Sequence, residues 1–216
     1  MKSIVFQAVC LGVLALSFLA EGLRGVITKK PFIVSGRWLF ITIAIGQAPM
    51  LAVFVEDLLP GAHGLPWYQS AGFLLLWAGF LVFIWQQMSG YVVIGVTDES
   101  LRNSLHHSLN KLNIPFEESL SRLRLPSLEA DLQVSAQSWM GSAMIRLKPK
   151  RQRAILKQIV AEMSTYFSQT SVRTNLYTCV FYAVAGVMML VLGTMLTYWR
   201  LSLHAEMQAL RDYVPR

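Results

Sequence analysis

Six cations crowd into one short stretch of the chain: Arg146, Lys148, Lys150, Arg151, Arg153 and Lys157. Pro149 interrupts the run and opens an apolar-periodic segment, 150–167, in which Ile155, Ile159, Met163 and Tyr166 recur at helical spacing. Lys150, Arg151 and Arg153 therefore fall in or just before the first turn of a helix. Cations there oppose the helix dipole, and a bound anion would supply the missing counter-charge. Three readings stay open: phospholipid headgroups, a phosphate-bearing ligand or acidic partner surface, or a solvated turn enriched in cations by topology. No glycine-rich loop accompanies the run, so a nucleotide phosphate cradle is not expected.

Other reactive residue types are scattered. His106 and His107 are adjacent, and neighbours on a helix point about 100° apart, so they cannot readily share one metal. Glu117 and Glu118 follow Pro115 and Phe116 in a turn, a weak basis for acid–base work. Cys10 and Cys179 sit singly inside apolar runs, with no CxxC pair and no Cys/His cluster to bind zinc. No nucleophile–base–orienter set is legible. The expectation is a chain with no catalytic residues, no metal site and no cofactor.

The elements that carry these residues follow from composition. Of 216 residues, 54% are hydrophobic and only 14% are charged, against about 25% charged in soluble domains. The apolar residues form long runs, the mark of an integral membrane protein. Four transmembrane spans are predicted at 4–20, 38–55, 71–87 and, within 171–200, at 176–198. Each approaches the ~20 residues that cross a bilayer, the third only if its flanks contribute. Trp38, Trp67, Tyr68, Trp85, Tyr177, Tyr198 and Trp199 stand at span ends, as interfacial aromatics do. The charges after the first span, Arg24, Lys29, Lys30 and Arg37, outweigh Lys2, which favours a retained span over a cleaved signal.

Lys and Arg set the orientation. Four lie between spans one and two, none between two and three, eleven between three and four, and three after span four. Alternation places fifteen on one side and four, counting Lys2, on the other. The chain reads as a multi-pass protein of the cell (inner) membrane, with its long third loop cytoplasmic and both termini extracytoplasmic. Membrane lipids are its expected surroundings. The net charge of +7 reflects that topology, so no nucleic-acid partner is expected.

Within the expected span limits there is no Asp, Glu, Lys, Arg or His, which argues against a coupled transporter or pump. Gln47, beside Gly46 and before Pro49, suggests a kinked helix with a polar contact to a neighbour. Ala71-Gly72-Phe73 recurs as Ala78-Gly79-Phe80. Seven residues place both Ala-Gly pairs on one stripe, open to close approach by another span or by a partner helix.

Residues 90–170 read as a small α+β domain. Strands are expected at 91–96, 118–125, around Leu128–Ala136 and at 142–148. Helices are expected from Thr97 or Asp98 to Leu112, with Leu101, Leu105, Leu109 and Leu112 on one face, and at 150–167. The order β-α-β-β-β-α is close to a split βαβ, ferredoxin-like sandwich lacking its closing strand. The tail 201–216 suggests an extracytoplasmic amphipathic helix through Leu203, Met207, Leu210 and Val214. The function expected is that of a non-catalytic accessory, scaffold or assembly subunit of a membrane complex, with a cytoplasmic docking domain. Its partner would be another protein or a second copy. The alternatives are a ligand- or lipid-sensing regulator or membrane enzyme that uses the domain, and an oligomeric channel.

Overall fold

In the computed structural model the described residues are 2–56, 58, 66–119, 122–148, 152–170 and 172–213; side chains are described except at 2–3, 119, 122, 204–205 and 207–213. Four helices there are long and apolar enough to cross a membrane: α1 (Lys2–Thr28), α2 (Gly36–Glu56), α3 (Trp67–Gln87) and α6 (Tyr177–Tyr213). Two shorter amphipathic helices, α4 (Asp98–Lys111) and α5 (Arg153–Gln169), accompany six strands. These are β1 (Phe32–Ser35), β2 (Tyr91–Ile94), β3 (Glu117–Ser119), β4 (Arg122–Leu125), β5 (Ala130–Gln137) and β6 (Ser142–Lys148).

The third apolar helix is longer than its apolar core suggests, because Trp67–Ser70 begin it. The first runs past Ala20 to Thr28 and takes in Glu21 and Arg24. It ends where Lys29 turns left-handed, with φ 50°, and its N–H reaches the Gly25 carbonyl at 3.0 Å. Pro31 then bars any return to the helix. For the tail, the backbone is helical to Tyr213. Met207 and Leu210 lie outside the described side chains, and Val214 outside the described residues.

The chain forms two compact units. One comprises residues 1–19, 42–81 and 184–216. Its described elements are all helices, and glycines allow close approaches between them. A Cβ on Gly186 would stand 2.7 Å from the Leu19 nitrogen and 2.8 Å from the Ala15 oxygen, and one on Gly46 would stand 2.4 Å from the Leu14 side chain. Missing side chains let Gly186 meet the backbone of α1 and let Gly46 seat the Leu14 side chain, the close packing that small residues give apolar helices.

The second unit comprises residues 20–41 and 82–183. Its six strands run in the order β1-β2-β6-β5-β4-β3, every neighbour antiparallel. Helices α4 and α5 pack beside each other, over a core built from Val93, Leu125, Leu132 and Ile145 of the sheet and Leu105, Leu109, Ile159 and Met163 of the helices. Phe32, Val34 and Ile94 of β1 and β2 form a second cluster with Cys179, Val26, Leu39 and Tyr182. The sheet edge thus packs against the ends of α1, α2 and α6.

This order corrects the expected one in two places. The segment 118–125 is two strands, because Glu117–Ser119 pairs back on Arg122–Leu125. Leu123 and Leu125 share a phase that Leu120 does not, which a single straight strand could not reconcile. The closing edge is also occupied. It is β1, from between the first two apolar helices, and Phe32, Ile33, Val34 and Ser35 pair with Ile94, Val93, Val92 and Tyr91. On α5 the buried face is Leu156, Ile159, Val160, Met163 and Phe167, with Ile155 and Tyr166 only half-buried. The expected stripe is therefore rotated by about one position.

Helix α4 begins where expected, at a Thr97 N-cap that shares a capping box with Ser100. It also buries an unforeseen stripe of Ser100, Ser104 and Ser108 beside its leucines. The Ser104 hydroxyl donates to the Leu101 carbonyl at 2.8 Å and that of Ser108 to the Ser104 carbonyl at 2.7 Å. Their polarity is spent inside their own helix, leaving small residues on a packed face.

Two glycines of α1 respond differently to the same substitution. A Cβ on Gly22 would stand 2.3 Å from the Ala183 backbone nitrogen, whereas one on Gly12 would meet nothing within 4 Å. Gly12→Ala should be neutral or stabilising by up to about 1 kcal/mol, from helix propensity alone. Gly22→Ala should destabilise by about 1–3 kcal/mol, as overpacking does. Thermal unfolding of the two variants in detergent reads the opposite signs.

Candidate functional site

The cationic run does not form one patch. Arg146 sits on β6 beside Gly90, where a Cβ would stand 2.7 Å from the Arg146 Cγ. The bare glycine lets the side chain pass to the end of α3. There Arg146 Nη1 donates to Gln87 Oε1 at 3.1 Å and Nη2 donates to the Gln87 backbone carbonyl. Gln87 is the last residue of α3, so its carbonyl is one of those the helix leaves without a partner. A guanidinium at that end also opposes the negative pole of the dipole. Burial lowers the Arg146 pKa from the usual arginine value. This cation completes a helix and is not free to meet a ligand.

Lys148 is the last residue of β6, two residues beyond Arg146, in register with Asp131, which is in register with Arg124. These three and Glu129 line a cavity of 880 Å³. Two carboxylates there balance two cations, so nothing selects an anion. Lys150 and Arg151 lie outside the described residues.

Arg153 and Lys157 differ. They stand one turn apart on α5 and line a cavity of 280 Å³ with Ser35, Arg37, Ser89, Gly90 and Tyr91. Arg37 was read in the sequence only for its bearing on topology. It comes from the first turn of α2, while Ser89 and Gly90 come from the link between α3 and β2. Among the described residues no carboxylate lines this space. Arg37 also lies 5.9 Å from the centre of the Trp85 ring, a cation–π seat that itself meets Phe40 edge-on at 4.9 Å. Helices α2 and α5 both start at this cavity, and neither has an acidic residue in its first turn. Gln152 at the start of α5 makes no capping bond and turns its amide to the Leu128 carbonyl.

The sequence signal for Arg37, Ser35 and Ser89 was absent because strand pairing brings them in. β1 must lie on β2 before Ser35 and Arg37 can stand near Ser89 and Tyr91. The N–H of Gly36 donates to the Gly90 carbonyl at 2.9 Å, which closes that junction.

The remaining candidates stay apart. His106 packs on Phe116 with its Nε2 3.5 Å from Glu118, while His107 packs on Tyr166 of α5. Arg102 holds the same Glu118 carboxylate at 2.7 Å. Among the described residues no group of three His, Cys, Asp or Glu is placed to hold a metal. On α3, a Cβ at Gly72 or Gly79 would meet nothing within 4 Å. Ala78 and Gly79 are exposed, and Ala71 and Gly72 half-buried. Gln47 is half-buried on α2, next to the glycine that seats Leu14.

The division of the run has a measurable consequence. Arg146→Leu leaves the end of α3 without its donor and should cost about 1–3 kcal/mol, the range for hydrogen bonds to charged groups. Arg124→Leu, an exposed change, should stay within about 0.5 kcal/mol. Thermal unfolding of the purified variants tests the difference. Comparison with family models, curated proteins and solved structures gives no match for this chain.

Proposed function

We propose that this chain is a non-catalytic, multi-pass protein of the cell membrane, an accessory or assembly subunit of a membrane complex whose sheet domain docks on the cytoplasmic side. One observation carries the reading. A single sheet holds strands from both cation-rich segments: β1 from between α1 and α2, and β2 from after α3. Both segments must then lie on one side of the membrane, as the alternation of four spans requires. That side holds fifteen of the nineteen Lys and Arg residues, and cationic loops stay in the cytoplasm. Both termini are then extracytoplasmic.

The docking role rests on what the domain leaves available. Its interior is apolar, and the serines buried in α4 are satisfied within their own helix. Recognition therefore falls to its surface. Among the described residues nothing lies within 4 Å of a Cβ placed on Gly72 or Gly79 of the α3 stripe, which suits a neighbouring helix in a partner.

Topology is tested with Ser135→Cys, an exposed position on β5, in a background lacking Cys10 and Cys179. The thiol should react with an impermeant maleimide only after the membrane is opened; labelling in intact cells would reverse the orientation. Purification from native membrane in mild detergent, followed by mass spectrometry, should yield a stoichiometric foreign subunit. Its loss from Ala78→Ile/Gly79→Ile, with the melting temperature kept, would place the contact on α3, and recovery of the chain alone would refute the accessory role.

A further inference from the structure

We propose that the cavity among Arg37, Arg153 and Lys157 is a phosphate-binding site. Its lining carries three cations from two helices, three hydroxyl-bearing residues, Ser35, Ser89 and Tyr91, and, among the described residues, no carboxylate. Among the described residues none of the three cations pairs with an acid: the ion pairs there join Arg102 and His106 to Glu118 and Lys111 to Glu162. Three uncompensated like charges around one small space repel one another, and a bound anion removes that repulsion. The positive ends of α2 and α5 add to the attraction. Hydroxyls and guanidinium groups together suit a tetrahedral oxyanion, which accepts several charge-assisted hydrogen bonds at once.

Size narrows the ligand further. A space of 280 Å³ lies at or below the lower limit of ligand pockets, about 300 Å³. It matches a phosphate group with little else enclosed. Two sources fit. One is the phosphate of an acidic phospholipid, since Arg37 and Trp85 stand at the ends of two apolar helices, where headgroups lie on the topology proposed above. The other is a free phosphate or a small phosphomonoester. The phosphate chemistry rests on the cavity alone; only the lipid source rests on the membrane reading.

The full chain, purified in a zwitterionic detergent, is titrated with inorganic phosphate and, separately, with short-chain phosphatidic acid, with thermal unfolding as readout. Short-chain phosphatidylcholine is the control. The triple variant Arg37→Gln/Arg153→Gln/Lys157→Gln is compared with Arg124→Gln/Lys148→Gln, which removes charge outside this cavity. Either phosphate or phosphatidic acid should raise the melting temperature of the wild type, with an apparent affinity weakened at least about tenfold in the triple variant and kept in the double variant. A response to phosphatidic acid alone assigns the lipid source, and a response to both assigns the free phosphate group. No response to either ligand would overturn the site. So would equal weakening in both variants, which would reveal diffuse charge in place of a built cavity. If the triple variant does not fold, Lys157→Gln alone, on an exposed position, is measured in its stead, and an unchanged affinity there counts against the site. The outcome is independent of whether a partner subunit co-purifies.

Discussion

Backbone pairing between Phe32–Ser35 and Tyr91–Ile94 is the constraint from which the second unit takes its form. β2 lies between β1 and β6, so both of its hydrogen-bonding edges are used and neither offers unpaired donors to another chain. The pairing also alternates side chains usefully. Phe32 and Val34 face the ends of the apolar helices, while Ile33 faces the core under α4 and α5. β1 therefore joins two apolar layers, as β2 does beside it through Val93 on one face and Ile94 on the other. It also brings the start of α2 against the link after α3, from which the cationic cavity arises.

A second constraint is the satisfaction of helix ends. The end of α3 is met by Arg146, and the start of α4 by Thr97 and Ser100. The start of α5 receives no such side chain. The protein thus treats comparable termini unequally, and the uncompensated one lies at the cavity whose lining has three cations and no acid. Glu21 shows a related imbalance on α1, where its Oε2 is buried with no hydrogen-bond partner among the described residues.

Much of this architecture was legible from residue order. Hydrophobic run length located four long apolar helices, and Thr97, the leucine spacing of α4 and the bounds of β6 were each readable from local pattern. Local pattern failed where the decisive partner lay far along the chain. Phe32–Ser35 is too short to announce itself as a strand, and the charges around it drew attention to topology. Arg146 looked like one of six equivalent cations, because nothing within its neighbours reveals that Gly90 leaves it a path to Gln87. Pro149 pointed to a helix start near Arg153, with Lys157 one turn later, and α5 begins at Arg153. Their companion Arg37 could be found only once β1 was placed. The Ala-Gly repeat of α3 was visible, yet close contacts within the chain are made by glycines such as Gly22, Gly25, Gly46 and Gly186, which stand in no conspicuous repeat.

The place of β1 in the chain has a bearing on biogenesis. It is synthesised well before any other strand, and the whole of α2 and α3 must be made before β2 exists to receive it. Its backbone groups wait in solvent through that interval, and the pairing it enters is among the most distant in the sheet, so loop closure makes it slow to form. On the membrane reading, β1 and β2 share a side when both intervening helices have crossed the bilayer, and are parted when one of the two fails. A failed insertion would leave β1 and β2 on opposite sides, with two bare edges and an exposed apolar cluster. On that reading an unclosed sheet would distinguish such a chain by the apolar surface it leaves exposed.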